Sequence, residues 1–299
     1  MNLLILTRYP VEYEPQRLLE ESGKAGLRAE IWNYNQLALF WQPEMIKIGL
    51  PGEKKLADFD FFIPRSSAHS KKKSLTGLKT AIIRSLSTEV ICLNRETFFK
   101  WPILGKIEQG VILAQFGIPV IPSWFFADRA EQENFFKKAP WPLILKGRFG
   151  SHSRKTFKVS SMLEAKRRLA AVSGEFFYQP LIRSHYYWRV LVLGEQVLGI
   201  MRRKTNSRFF KNGFVKNVSD QKLKEAALRA AAAINAEFAG VDLLADQNGE
   251  PLVIEVNRTP QFKIFEKKQN INIAEKLVNY MKKQHKRFKT KKPEADTPK

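Results

Sequence analysis

The chain has 299 residues, 44% of them hydrophobic and 12% aromatic, which argues against a disordered protein and leaves room for more than one domain. Its 51 lysines and arginines outnumber 29 aspartates and glutamates, a formal net charge of +22 that implies a polyanionic or acidic partner and says nothing about fold. The single cysteine, Cys92, excludes an intramolecular disulfide framework and a Cys-rich zinc site, and His69, His152, His185 and His285 form no HxxxH pair.

The first residues, MNLLILTRYP, are too short an apolar run for a signal peptide, and no stretch approaches the ~18–20 residues that cross a bilayer. A cytoplasmic protein without a membrane partner is expected. Leu3–Leu6 reads as a buried parallel strand, Pro15–Ala25 as a helix stopped at Gly26, and Ala29–Trp32 as a second strand. Residues 58–63 predict a third strand, Gly77–Ser87 a helix and Glu89–Leu93 a fourth strand, so residues 1–95 are expected to form a small open α/β domain. Ile103–Phe116 follows as a helix, Val120–Phe126 as a strand, Glu131–Lys137 as a helix and Pro142–Lys146 as a strand entering the loop Gly147–Arg154. Leu163–Val172 is helical in pattern and Phe176–Ile182 extended. Arg189–Arg203 reads as a hairpin turning at Gly194-Glu195, Lys222–Phe238 as a long Ala-rich helix, and Gly240–Leu244 with Leu252–Asn257 as a second hairpin turning at Asn248-Gly249. Ile273–Lys283 is a last helix. The remainder, rich in lysine and without hydrophobic periodicity, is expected to be a disordered basic tail.

Chemistry concentrates in the second hairpin. Glu255 and Asn257, two apart on a strand, share a face, and Asp242 lies on the strand paired beside it. Three oxygen-donor side chains among apolar neighbours suit magnesium, which prefers hard oxygen ligands; the alternative is a pair of acids on a solvated face. Lys146 ends an apolar strand beside a glycine-containing loop, a place suited to phosphate, and Lys106 stands near a helix start. Arg189 and Arg203 flank the first hairpin, where guanidinium groups would stabilise charge on a transferring phosphoryl group or an acyl phosphate. Arg8 and Arg65 end strands of the first domain, where carboxylate binding and simple surface placement are both open.

Lys106, PLILK (142–146), FYQPLI (177–182), WRVLVLG (188–194), FAGVDLL (238–244) and LVIEVNRTP (252–260) follow one another as in an ATP-grasp ligase. From Met1 to about Met281 the chain most resembles the RimK-type α-L-glutamate ligases, which modify the C-terminus of a small-subunit ribosomal protein. The resemblance implies an α/β, ATP-grasp fold: an N-terminal α/β pre-ATP-grasp domain (1–95), a small central subdomain (96–183), a C-terminal ATP-grasp subdomain (184–283) and the basic tail (284–299). It implies ATP between the central and C-terminal subdomains. Lys106 and Lys146 would contact its phosphates, Gln179, Pro180, Leu181 and Ile182 would line adenine, and Asn212 would come from a mobile loop. It further implies Mg2+ (or Mn2+) on Asp242, Glu255 and Asn257, with Arg189 and Arg203 near the acyl intermediate. The implied reaction joins an amino acid to a carboxylate acceptor; a homo-oligomer is left open, relatives often being dimers or tetramers. The nucleoside end departs from the family pattern. Later loop glycines are replaced by Ser153 and Lys155, the usual acid of the adenine segment by Pro180, an expected ribose-binding aspartate by Tyr187, and the segment after Asn257 reads Thr259-Pro260-Gln261. The rival reading, motivated by the net charge, is a degenerate ATP-grasp scaffold that binds RNA or the ribosome.

Overall fold

Four consecutive apolar residues, Leu3–Leu6, are at most 1% exposed because their strand is covered on both faces, as a parallel sheet requires. The computed structural model in which they are seen describes residues 1–43, 45–49, 56–65, 74–86, 90–150, 155–205 and 220–291. They belong to a first unit, Met1–Pro102 with Thr259–Lys299; the second unit is Ile103–Arg258.

The first unit begins β1 (Asn2–Thr7), α1 (Tyr13–Lys24), β2 (Arg28–Asn33), β3 (Ala38–Gln42), β4 (Met45–Gly49), β5 (Phe61–Pro64), α2 (Ser74–Ser85), β6 (Ile91–Cys92) and α3 (Arg95–Lys100). Its parallel sheet runs β2-β1-β5-β6. The strand expected from Asp58 starts only at Phe61, because Leu56–Asp58 makes a 3-10 turn. The antiparallel pair β3–β4 has no expected counterpart; its outward Phe40 and Trp41 are exposed, so the segment lacks the buried alternation that marks a strand.

The second unit carries α4 (Lys106–Gln115), α5 (Arg129–Lys138), β7 (Leu143–Gly147), β8 (Thr156–Val159), α6 (Met162–Ala170), β9 (Phe176–Pro180), β10 (Tyr186–Leu193), β11 (Gln196–Lys204), α7 (Gln221–Ala233), β12 (Phe238–Ala245) and β13 (Pro251–Asn257). Two sheets result, β8-β7-β9 and β11-β10-β12-β13, both antiparallel. Side-chain caps fix the helix starts: Asp128 accepts from Ala130 and Glu131, Ser161 from Glu164, and Asp220 from Leu223. The expected strand Val120–Phe126 is instead an extended link touching neighbours only at Val120–Val253 and Trp124–Tyr178, since Pro119 and Pro122 remove ladder donors. The Ala-rich helix stops at Ala233, short of Phe238. Asn235 takes φ 56° there, and the Asn235 and Ala236 N–H groups turn back to Ala232 and Ala231.

The chain then returns to the first unit as α8 (Lys263–Gln269) and α9 (Ile273–Lys291). Glu14 of α1 accepts the N–H groups of Phe262 and Lys263, and Arg17 bonds Glu266 and Asn272. The expected tail is corrected: α9 continues to Lys291, and His285 is buried with its ring 5.1 Å from that of Phe61. The apolar stripe Leu277, Val278, Met281 thus runs one turn beyond the predicted end, using a histidine that a polar-tail reading discounts. Arg65 is buried as well and donates to the Pro260 carbonyl at 3.0 Å, which makes it a tie within this unit. No helix of the described residues is long and apolar enough to cross a membrane.

Candidate active site

Register across the four-stranded sheet sets the site. Arg189 on β10 pairs with Met201 on β11 and Asp242 on β12, and Asp242 pairs with Glu255 on β13. The flanking rows are Arg203–Tyr187–Leu244 and Gly199–Leu191–Gly240–Asn257. Cross-strand partners share a face and alternate rows return to it, so Tyr187, Arg189, Arg203, Asp242, Glu255 and Asn257 all stand on one side. The opposite side is the apolar core of Val190, Val192, Val241, Leu243 and Val256. A register shift beside Asp242 leaves Ile254 as the extra residue of a bulge and returns Val253 to that core opposite Leu243.

The acids are held by the protein's own cations. Asp242, 5% exposed, accepts from Arg189 Nε at 2.6 Å and Nη2 at 2.7 Å, a two-point pair. Burial opposes the Arg189 charge, but Asp242 outweighs it and raises the guanidinium above its ordinary range. Burial, then the Asp242 carboxylate, pushes the Tyr187 phenol well up. The Arg203 guanidinium lies over the Tyr187 ring, 4.5 Å from its centre.

Lys106 is the first residue of α4. Its Nζ lies 2.7 Å from Glu255 Oε1 and donates to the Gly150 carbonyl at 3.3 Å. Two contacts that sequence reasoning did not anticipate aim it. Gln109, buried one turn on, accepts the Val256 N–H at 2.9 Å and pins α4 to β13. Arg148 bridges Glu108 and Glu175, and its carbonyl accepts the Lys106 N–H. Gly105 precedes the helix because a Cβ there would meet Glu108 and the Arg148 side chain at 2.6 and 2.7 Å. Burial works against the Glu108 charge, but Arg148 holds its pKa below the usual range.

Lys146 sits on β7 opposite Phe177, two rows from the pair Ile144–Gln179 and so on the same face. The alternate residues Leu143 and Leu145 enter an aromatic core with Phe136, Phe176 and Tyr178, which turns Lys146 and Gln179 to the other face. Burial lowers the Lys146 pKa to about 8; Glu255 and Asp242 support its charge and Lys106 opposes it. The Gln179 amide donates to Ser123 Oγ at 2.8 Å, while its buried Oε1 has no partner among the described groups. Pro180 brings no N–H, and the Leu181 N–H is bonded to the Pro142 carbonyl at 3.1 Å, ahead of Ile182. Asn212 lies outside the described residues.

The site therefore gathers Lys106, Lys146, Arg189 and Arg203 around Asp242 and Glu255, an excess of positive charge suited to a polyphosphate. Two carboxylates and the Asn257 amide oxygen are hard donors of the kind magnesium takes, and the unmatched Gln179 Oε1 suits a donor such as an exocyclic amine.

Residues 105–281 match the RimK-like ATP-grasp domain and residues 1–97 the RimK PreATP-grasp domain. The chain is 27% identical over 308 residues to a probable alpha-L-glutamate ligase of Haemophilus influenzae (strain 86-028NP), covering 94% of this chain and 97% of that protein. Its fold is similar to the ATP-grasp ligase PsnB complexed with minimal precursor, Mg and ADP (TM-score 0.72, 19% identity, 95% and 97% of the two chains). It is likewise similar to the macrocyclase MdnC bound with precursor peptide MdnA from Microcystis aeruginosa MRC (TM-score 0.71, 12% identity, 94% and 99%). The chain belongs to the RimK-like ATP-grasp family of ligases.

Proposed function

We propose that the protein is an ATP- and Mg2+-dependent carboxylate–amine ligase that adds glutamate or another amino acid to the carboxylate of a peptide, protein or small molecule. The observation that carries this reading is the surplus of cations over carboxylates gathered around Asp242 and Glu255. Lys106, Lys146, Arg189 and Arg203 stand against Asp242 and Glu255, a balance that a metal–polyphosphate would neutralise. When bound, magnesium (or manganese) supplies Lewis-acid charge neutralisation, with Asp242, Glu255 and Asn257 as its protein donors.

In the reaction, a carboxylate oxygen of the acceptor attacks the terminal phosphorus of ATP and ADP leaves. The amine then attacks the acyl carbon of the resulting acyl phosphate, loses a proton and releases phosphate. The chain's part is positioning and charge. Lys106 and Lys146 hold phosphate oxygens. Gln179 and the segment Pro180, Leu181 and Ile182 receive the base, and Asn212 would add a further contact. Arg189 and Arg203 steady charge on the transferring group, and no side chain is needed as a nucleophile.

The partner reading follows the charge that remains. Lys276, Lys283, Lys286 and Arg287 are exposed on α9, and Lys263, Lys267 and Lys268 on α8, a basic surface that suits an acidic peptide or a ribosome-like partner. Proteins of similar fold, a ligase and a macrocyclase, have been solved as complexes with their precursors, which favours a peptide acceptor. The test is a thermal-shift screen with ATP, ADP and GTP, with and without magnesium, followed by ATP consumption with amino acids and an acidic peptide. A metal-dependent nucleotide shift with amino-acid-dependent turnover is expected. Steeply salt-sensitive RNA binding with no nucleotide shift would replace this reading with the scaffold alternative.

A further inference from the structure

Gln179, 6% exposed near the end of β9, has one half of its amide unmet: Nε2 donates to Ser123 Oγ at 2.8 Å, and the buried Oε1 has no partner among the described groups. The direction of that amide is fixed from outside the strand. Trp124 and Tyr178 exchange backbone hydrogen bonds at 2.9 and 2.8 Å, which seats the link Val120–Phe126 beside β9. Trp124 packs on the aromatic core, so Ser123, its neighbour, turns to the opposite face, where Gln179 and Lys146 stand. The Ser123 hydroxyl has a single proton and gives it to the Ile121 carbonyl at 2.8 Å. Toward Gln179 it offers lone pairs alone, which accept an N–H and repel a carbonyl oxygen. The amide is therefore held with Oε1 turned away from Ser123, an acceptor without a donor. The next main-chain positions do not supply a free donor either: Pro180 has none, and the Leu181 N–H is spent on the Pro142 carbonyl at 3.1 Å. Gln179 lies two residues beyond Phe177, the partner of Lys146, about 7 Å further along the same face.

We propose that Ser123 is a specificity-determining positioning residue: by holding the Gln179 amide it presents Oε1 to the nucleotide base and selects a purine with a 6-amino group over one with a 6-oxo group. This rests on the ligase reading of the site. Adenine brings a donor at that position, whereas guanine and hypoxanthine bring an oxygen. An oxygen facing Oε1 sets two buried acceptors against each other, and an unmet buried group costs about 10- to 100-fold in affinity. Gln179 alone would discriminate poorly, because an amide that is not held can turn over and offer Nε2 to a 6-oxo group.

Calorimetric titrations with ADP and with inosine diphosphate, both with magnesium, isolate the base because the ribose and diphosphate are common to the two. The wild-type protein is expected to prefer ADP by about 10- to 100-fold. Ser123→Ala frees the amide, so the preference should fall toward parity, chiefly through tighter binding of inosine diphosphate, a gain that a merely structural defect does not produce. Ser123→Thr keeps the hydroxyl and should retain the preference. Near-UV circular dichroism and the melting transition establish that each variant is folded. If Ser123→Ala does not fold, Ser123→Cys, close to serine in size with a weakly hydrogen-bonding thiol, takes its place. The proposal is overturned, with the ligase reading intact, if the wild-type protein binds the two diphosphates equally. It is also overturned if the folded Ser123 variant keeps the wild-type preference or loses both diphosphates by the same factor. If the wild-type protein binds neither diphosphate, the ligase reading fails first.

Discussion

Replacing Lys146 with methionine should make the protein more stable and unable to hold nucleotide. The lysine is held at about 8 in place of its ordinary 10.5, chiefly by burial. At about 1.4 kcal/mol per pH unit, keeping it charged in the folded chain costs about 3 kcal/mol at pH 7. The sign follows from the depressed pKa of a cation. Below pH 8 the group is protonated in both states and the whole cost is present. Between about 8 and 10.5 the folded lysine is already neutral while the unfolded one is still charged, and the cost fades. Methionine has a similar shape and no charge, so Lys146→Met should recover about 1–3 kcal/mol at neutral pH, allowing for relaxation around the ammonium. The gain should shrink by about a third at pH 9. Urea denaturation of both proteins at the two pH values measures it, and a calorimetric titration with ADP tests the loss of nucleotide binding. A variant that is less stable than wild type at pH 7, or whose gain does not change with pH, would refute the reasoning.

Other perturbations separate the remaining contacts. Lys106→Met removes the cation 2.7 Å from Glu255, so metal-free ADP binding should weaken by about 10- to 100-fold while Mn2+ alone binds more tightly, a pair of opposite signs read by calorimetry. Asp242→Ala leaves the two-point Arg189 guanidinium without its carboxylate and should destabilise by about 3–5 kcal/mol in urea denaturation, whereas the double variant Asp242→Leu/Arg189→Leu should cost clearly less. His285→Ala opens space against Phe61 and should cost about 1–3 kcal/mol, which a disordered tail would not.

The parts of this chain that were legible in the sequence are those with a dominant local period. Leu3–Leu6, Leu143–Leu145 and Leu252–Asn257 read as strands because burial on one or both faces is written into consecutive residues. The Asp242–Glu255–Asn257 set was legible because strand alternation puts Glu255 and Asn257 on one face. The pairing of Asp242 opposite Glu255 rather than one residue away depends on the register of the hairpin, which a sequence only suggests. What could not be read is set by long-range partners. Val120–Phe126 has a strand's composition but Pro122 inside it and Pro119 just before it, and Asn235 ends a helix whose alanines continue to favour it. Arg148, one of the 51 cations behind the net charge, is bound to Glu108 and Glu175, residues 40 and 27 positions away. Tyr187 carries a similar lesson: as a residue it is only a departure from a pattern, and its place under Arg203, in the row next to the Arg189–Asp242 pair, exists only once β10, β11 and β12 are side by side.

The pairing of acids with cations in the site also bears on how the proposed ligase would be loaded. Asp242 is already held by Arg189 and Glu255 by Lys106, so a divalent cation arriving alone meets carboxylates whose charge is largely compensated. A polyphosphate arriving alone meets Lys106 and Arg189 already engaged, and in Lys146 an ammonium whose charge burial opposes. When metal and polyphosphate arrive together, each carboxylate can exchange its lysine or arginine for the metal and each freed cation can turn to a phosphate oxygen. Ion pairs are then traded for ion pairs, with little net desolvation beyond that already present in the folded chain. The coupling is reciprocal by linkage: whatever factor the metal contributes to nucleotide affinity, the nucleotide returns to the metal. Lys106→Met and Asp242→Ala each break one half of the exchange, which is why the first should separate metal from nucleotide affinity and the second should register as lost stability before it registers as lost binding.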